Sequence, residues 1–176
     1  MDIEFGTLDS LLTAIEKRLQ DKLALDQARC FISDAIIPPE LLDEFCVTIS
    51  FGDGKFDEAL FEGGGHLTLA ERCSIYVGIF RTYRVDRNDQ SRLAMISKEK
   101  GLFARDKRSV LRALLVDDPS DTPTAPWQPV YNNQQILRDD LLPVSCTRPQ
   151  PAGPADGDPD HLYIVLTFSA YFDWSL

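Results

Sequence analysis

Histidine and cysteine are scarce in this chain of 176 residues, which contains two histidines and four cysteines. No two cysteines form a CxxC pair, and neither His66 nor His161 has a cysteine at the short spacing typical of zinc ligands. The sequence therefore predicts no metal site. Free cysteine behaves as a small apolar residue, so all four thiols are expected to be reduced.

The motifs that bind phosphate or calcium, or that activate a serine, are also missing. The run Gly63–Gly65 is not followed by the Gly-Lys-Ser/Thr sequence of a Walker phosphate loop. The acidic turn at 156–160 starts like a calcium loop, but His161 and Thr167 stand where that loop needs glycine and glutamate. No G-x-S-x-G elbow is present. We therefore expect no catalytic residues, no cofactor and no enzymatic activity, although a Ser-His-Asp group can assemble from distant residues in a fold.

Long apolar runs are absent as well. No stretch approaches the roughly 18 residues of a membrane span, and the acidic start MDIEFG does not have the form of a signal peptide. We expect no contact with a membrane. The net charge of −10 disfavours general binding to nucleic acid and favours either solubility or a partner of positive charge. The length fits a single domain over residues 1–176.

Positive charge is concentrated in one window of this acidic chain. Residues 84–112 contain nine Lys or Arg and four Asp or Glu, so the window carries +5 and the remainder of the chain −15. Three interpretations fit this pattern: a solvated helical face, a contact between basic and acidic patches of two subunits, or a contact with DNA. The residues singled out for the subunit contact are Arg105, Lys107, Arg108 and Arg112.

Apolar residues at helical spacing predict two regions of helix. One helix is expected over 7–24. Shorter helical pieces are expected over 89–100 and 106–116, and these can be one helix broken at Gly101.

Alternating apolar residues predict strands at 45–51, 67–85 and 161–173. We expect these strands to form one antiparallel sheet with a long hairpin, and the helices to pack on one face of it. This is an α+β fold. Most of the prolines fall within 117–160, which is expected to be irregular except for a short strand at 142–148.

The connection at 52–66 is expected to be a loop, because Asp53-Gly54 is a turn signal. It carries three large apolar residues, Phe56, Leu60 and Phe61. A loop that exposes such groups is costly in a monomer, so we expect contact with another chain to order it.

The segment HLYIVLTFSAYFDWSL at 161–176 is expected to form a long strand with two apolar faces. One face carries Leu162, Ile164, Leu166, Phe168 and Phe172, and the other carries Tyr163, Val165, Thr167, Ser169 and Tyr171. Both faces of such a strand should be covered, so it is either central in its own sheet or covered by another subunit. Tyr163 and Tyr171 are therefore predicted subunit contacts.

The order of these elements resembles that of the tail terminator and neck proteins of long-tailed bacteriophages. The resemblance lies in layout rather than in a sharp motif. It is carried by LDSLLTAIEKRL, by CVTISFGDG leading through FEGGGHLTLAERCSIYVGIFRTY, by the segment containing Trp127, and by LYIVLTFSAYF. It implies a ring-forming protomer in a homohexamer that caps the tail tube and joins it to the head connector.

The resemblance also implies the partners and the location of the protein. The partners would be the tail tube protein and a head connector or stopper protein, with DNA only passing through the lumen of the ring. The protein would belong to the virion and assemble in the cytoplasm of the bacterial host. The long irregular region at 117–160 departs from the pattern, and a head-completion or tail-tube-like protein could carry it equally well. A soluble α+β binding or regulatory module is the alternative outside this family.

Overall fold

A computed structural model describes residues 7–33, 45–62, 66–82, 92–117, 125–131, 133–148, 150–151 and 161–175. The helices within them are α1 (Thr7–Leu23) and α2 (Arg92–Leu115). The long strands are β2 (Cys46–Glu62), β3 (His66–Thr82) and β8 (His161–Ser175). The short strands are β1 (Cys30–Ile32), β4 (Val130–Tyr131), β5 (Gln134–Gln135), β6 (Leu142–Cys146) and β7 (Gln150–Pro151).

The main sheet has the order β1-β2-β3-β8-β6, with β7 also paired to β8, while β4 and β5 form a separate pair. The predicted α+β class is confirmed. The three predicted strands pair antiparallel, as expected, in the order β2-β3-β8. The sheet as a whole is not antiparallel, because β1, where no strand was predicted, runs parallel to β2 with Cys30 opposite Val47. The sheet is therefore mixed. Alternation of apolar residues reveals the period of a strand but not its direction, so the sequence held no signal for this parallel pair.

Both helices cover the same face of the sheet. α1 buries Leu11, Ile15 and Leu19 along one stripe, as its helical spacing predicted. α2 buries Val110 and Leu114 in the same core. The sheet residues of this core are Val47, Ile49, Cys73, Ile75, Val77, Ile79, Ile164, Leu166, Phe168, Ala170 and Phe172. Alternate residues of the three long strands thus form one continuous apolar layer under the helices.

Arg18 of α1 fixes the C-terminal end of α2. Its guanidinium donates hydrogen bonds to the carbonyl oxygens of Ala113 (2.9 Å) and Val116 (2.8 Å), and also to that of Asp117. The last carbonyls of a helix have no partner within the helix, so these bonds satisfy groups that would otherwise need water. The guanidinium also lies 5.4 Å from the centroid of the buried Trp127 ring. One side chain therefore joins both helices to the segment at 125–127.

Most of the predicted loop at 52–66 is strand. β2 continues to Glu62 and β3 starts at His66, so only residues 63–65, the turn of the predicted hairpin, lie outside the described residues. The glycines of this segment, which suggested a turn, instead allow side chains of β3 to approach the backbone of β2 closely. A Cβ on Gly52 would lie 2.7 Å from the Tyr76 hydroxyl, and one on Gly54 would collide with the Glu71 carboxylate. Register shifts at 51/54 and 56/58 accommodate the irregular pairing.

The helix predicted to break at Gly101 is continuous. α2 runs through this residue without interruption, and a Cβ at Gly101 would meet nothing within 4 Å. Glycine weakens the interior of a helix by roughly 1 kcal/mol relative to alanine, which the packing of the C-terminal half outweighs. The predicted start at 89–91 lies outside the described residues.

Strand β8 has one buried face, as predicted, and one face that is only partly covered. Ile164, Leu166, Phe168, Ala170 and Phe172 are at most 2% exposed, whereas the residues that alternate with them are half-buried. β8 lies between β3 and β6, so it is central in its own sheet, which is one of the two arrangements expected of it. Contact of its second face with another subunit stays a prediction. The region at 117–160 is less irregular than expected, since it contributes β6, as predicted at 142–148, and the short strands β4, β5 and β7.

The four thiols differ in exposure, and this difference gives a chemical test. Cys30, Cys46 and Cys73 are buried, whereas Cys146 is exposed. Burial raises the pKa of the Cys30 thiol to about 12 and that of Cys73 to about 11, with nearby acids adding to both shifts. The thiolate is the reactive form, so the buried thiols should be inert in the folded protein.

We expect one thiol per folded chain to react rapidly with a disulfide reagent at pH 8, and none in Cys146→Ser. Unfolding should make the other three thiols reactive. Below pH 9 these groups are protonated in both states and do not affect stability. Above pH 9 the unfolded chain ionises first, so the free energy of unfolding should fall as pH rises towards about 12. A rapidly reacting thiol in folded Cys146→Ser would contradict the described burial.

Phe168 and its neighbour Thr167 provide a matched pair for testing the two faces of β8. Phe168 is fully buried, and Thr167 is half-buried on the opposite face. Phe168→Asp should unfold the chain, because an unpaired carboxylate in an apolar core costs several kcal/mol, a large part of the typical total stability of about 5–15 kcal/mol. Thr167→Asp should remain folded by circular dichroism. Loss of structure in both variants would mean that the second face is also core.

Candidate subunit interface

The distal segment, defined as residues 51–62 of β2, exposes large apolar side chains. Phe51 is 45% exposed and Phe56 is 59% exposed. β1 pairs only with residues 47–49, so the outer edge of β2 beyond this point has no neighbour within the described residues. The backbones of Leu60 and Phe61 pair with Thr68 and Leu67 of β3. The side chains of these two predicted contacts lie outside the description.

The open face, defined as the side of the sheet away from the helices, is lined by half-buried aromatic and β-branched residues. Its members include Phe31, Tyr76, Phe80, Tyr163, Val165 and Thr167. The rings of Phe80 and the predicted contact Tyr163 stack with their centroids 5.4 Å apart. A Cβ on Gly78 would lie 2.8 Å from the Phe80 ring, so the glycine lets this ring lie flat across the strands. No described element packs over this face.

Tyr171, the other predicted contact on this face, packs between two arginines of its own chain. The guanidinium carbons of Arg72 and Arg138 lie 4.4 Å and 5.2 Å from its ring centroid. Arg138 also donates to the Tyr171 hydroxyl at 3.1 Å and pairs with Asp173 at 3.2 Å. Arg72 in turn lies 3.4 Å from Asp57 of the distal segment. The stacked side chains of Arg72, Tyr171 and Arg138 thus link β8 to the distal segment, so Tyr171 has a structural role within the subunit.

The basic residues predicted on α2 fall on two different surfaces. Arg105 and Arg112 line a pocket of about 530 Å³, while Lys107, Arg108 and again Arg112 line a shallow apolar groove of about 260 Å³. The groove is lined by Leu111 and by Ala104, Leu115 and Val116. The predicted basic patch therefore spreads over two neighbouring surfaces that share Arg112.

The basic pocket, as we call the first of these cavities, has mixed cationic and apolar walls. Its lining residues are Lys22, Leu23, Phe45, Arg81, Arg105, Asp106, Ser109, Arg112 and Ala113. Lys22 comes from the last turn of α1, Phe45 precedes β2, and Arg81 lies near the end of β3. Four cations face one acid, so the pocket carries a formal charge of +3. Such a cavity suits an anionic group with an apolar neighbour.

A partly buried ion pair forms one wall of the basic pocket. The guanidinium nitrogens Nε and Nη2 of Arg81 donate hydrogen bonds to the two carboxylate oxygens of Asp106. Asp106 is only 5% exposed. The Asp106 hydrogen bond raises the pKa of Arg81, while burial opposes that shift. The guanidinium carbon also lies 5.1 Å from the centroid of the Phe45 ring. Sequence reasoning missed this pair because its members stand 25 residues apart and only the fold joins them.

Among the described residues, no three His, Cys, Asp or Glu side chains lie close enough together to hold a metal ion. Neither α1 nor α2 is long and apolar enough to span a membrane. No protein-family model matches this chain, and no curated protein matches it significantly.

The ion pair at the basic pocket should be important for stability. Arg81→Met leaves the buried Asp106 carboxylate without its partner, which typically costs about 3 kcal/mol or more. The double variant Arg81→Met with Asp106→Leu removes both charges and should recover most of that loss. Lys22→Met is the matched control, because its pair with Asp21 at 3.3 Å is exposed and should contribute less than about 1 kcal/mol. Urea unfolding measures all three, and equal losses for Arg81→Met and Lys22→Met would contradict the assignment.

Proposed function

We propose that this chain is a structural protein of a bacteriophage virion, a tail terminator whose copies form a hexameric ring. The ring would cap the tail tube, stop its growth and present a surface to the head connector. The order helix, strand pair, helix and terminal strand, with both helices on one face of the sheet, supports this proposal. The role does not require catalysis, a cofactor or a membrane.

The exposed distal segment carries this proposal. Phe51 and Phe56 lie on an open strand edge, where a monomer would leave both rings in water. Burying a large apolar side chain contributes about 1.5–3 kcal/mol, so covering two of them supplies a substantial part of an interface. An uncovered edge strand also invites pairing with other chains. A contact with a neighbouring subunit would cover the two aromatic rings and the open strand edge at once.

The charge of the chain suits a ring around DNA. A net charge of −10 per subunit would give the lumen of a ring a negative potential, which repels the passing duplex and prevents binding to it. The basic residues of α2 would then face neighbouring subunits or the next ring. Exposed ion pairs contribute only about 0–1 kcal/mol each, so several must act together.

A binding or regulatory module is the second candidate, because the basic pocket has the volume of a small-molecule site. Within the phage interpretation, a head-completion or tail-tube-like protein is the nearest alternative to a terminator. All the phage alternatives require assembly with copies or partners, whereas a binding module can act as a monomer. Oligomeric mass therefore separates the two classes.

The deciding experiment is the mass of the purified chain in native mass spectrometry, with electron microscopy of the same sample. Six copies of the 19.8 kDa chain correspond to about 119 kDa, and the images should show a ring with a central hole. The ring should be sensitive to salt if charged contacts contribute. Added to polymerising tail tube protein, it should shorten the tubes and lie at their ends. A chain that remains a monomer under all these conditions overturns the proposal.

A further inference from the structure

The main sheet has an open edge on each side within the described residues. On one side, β1 pairs only with residues 47–49 of β2, so the distal segment has no outer neighbour there. On the other side, β6 pairs with β8 alone, and all five residues of β6 are exposed. An open edge presents backbone N–H and C=O groups that can pair with a further strand. Both edges of one sheet therefore offer a contact to another chain.

β6 lacks the charges that usually protect an open edge. Residues 141–147 contain no charged side chain, in a chain of which 26% is charged. Leu142 is 58% exposed and Val144 is 61% exposed. Natural proteins block open edges with charges, proline or bulges, and β6 has Pro143 and one bulge but no charge. An uncharged edge with exposed apolar side chains favours a covered edge in the working assembly.

The first bulge of the distal segment places Phe51 and Phe56 on the same face of the sheet. The two residues are five positions apart, so a regular strand would turn them to opposite faces. The register shift between Phe51 and Gly54 removes this difference, because Phe51 is opposite Ile75 and Phe56 is opposite Glu71. Both partners belong to the helix side, the face of the main sheet on which α1 and α2 pack. The two exposed rings thus flank the open edge on one face.

The directions of the strands select the partner of each edge. β2, β3, β8 and β6 pair antiparallel throughout, so β6 runs opposite to β2. When copies follow one another in the same orientation, the β6 of one copy meets the distal segment of the next as an antiparallel pair, which continues the pattern of the sheet. A contact between like edges has a twofold axis and covers one kind of edge only. The pairing of unlike edges covers both.

We propose that β6 of one subunit pairs with the distal segment of the next copy of the same chain, as an added strand of its sheet. This inference rests on the ring proposed above and names the contact that forms it. Cys146 is opposite the buried Leu166, so the register places it on the helix side. It would lie beside Phe56 or beside Ala59, which is opposite Leu69 on the same side. Contacts between unlike edges generate a ring when the rotation between neighbours closes.

The exposed thiol of Cys146 gives a direct test of this contact. Ala59→Cys adds a second exposed thiol on the distal segment, and cysteines of adjacent strands form a disulfide when their Cβ atoms are about 4 Å apart. Oxidation with diamide should then join the chains into covalent multiples of 19.8 kDa, up to six copies, on a non-reducing gel. Phe56→Cys tests the neighbouring register in the same way. The other three native thiols are buried and should not react.

Lys55→Cys is the matched control for the face of the sheet. Lys55 is exposed and adjacent to Phe56, but it is opposite Arg72, so the new thiol would lie on the other side of the sheet from Cys146. It should give at least about tenfold less cross-linked product than the better of the two helix-side variants. Ala59→Cys combined with Cys146→Ser should give none. Equal cross-linking from Lys55→Cys and the helix-side variants would overturn the strand pairing.

A charge on β6 tests the contact without a disulfide. Val144→Lys adds the kind of residue that blocks an open edge, and the position is exposed, so the circular dichroism of the variant should match that of the wild type. Association should weaken at least about tenfold in sedimentation experiments. Gln134→Lys makes a similar exposed change on β5, outside the main sheet, and should assemble like the wild type. Equal weakening in both variants would overturn the assignment of β6.

Three further outcomes separate this inference from the proposed function. Rings of normal mass in which neither Ala59→Cys nor Phe56→Cys becomes linked to Cys146 would overturn the contact while the ring proposal stands. A disulfide between two Cys146 thiols in the wild type would show that two β6 edges pair with each other, and would also overturn the contact. A wild-type chain that never assembles would overturn both the contact and the ring.

Discussion

The antiparallel pairing of β3 with β8 is the interaction on which the rest of this fold depends. It runs without interruption from Thr68 opposite Ser175 to Thr82 opposite His161. Because side chains alternate between faces, this one register places Ile75 and Phe168 together under the helices and Phe80 and Tyr163 together on the open face. A slip of a single residue would exchange the two faces entirely. The core, the position of Arg81 and the exposed aromatic surface all follow from it.

β2 behaves differently from its neighbours, and its irregularity gives the distal segment its character. Two register shifts interrupt its pairing with β3, whereas the pairing of β3 with β8 has none. Bulges increase local twist and bend an edge away from a flat template. Lys55 adds a charge to that edge, which discourages unspecific pairing with other strands. The segment is thus exposed enough to bind a partner yet poorly suited to indefinite strand addition.

The sequence predicted those features that depend on local periodicity. The stripe of Leu11, Ile15 and Leu19 identified α1, and the alternation around Phe168 identified the buried face of β8. The turn predicted at Asp53-Gly54 is wrong, because glycine permits close cross-strand approach as readily as it permits a turn. The basic pocket could not be predicted, since Lys22, Phe45 and Arg81 meet only through the tertiary arrangement. Of the predicted contacts on α2, only Arg105 and Arg112 line that pocket.

The bonds from Arg18 to the end of α2 have a consequence for how the molecule opens. Helix ends ordinarily fray on their own, and their amide hydrogens exchange with water at low cost in free energy. Here the carbonyl of Ala113 in the last turn of α2, and those of Val116 and Asp117 just after it, are bound by a side chain 95 to 99 residues earlier in the chain, which lies over the buried Trp127 ring. Fraying of α2 would break contacts with α1 and with the segment at 125–127 at the same time. The amides of this helix end should therefore exchange together with those of the core, as part of one cooperative unit.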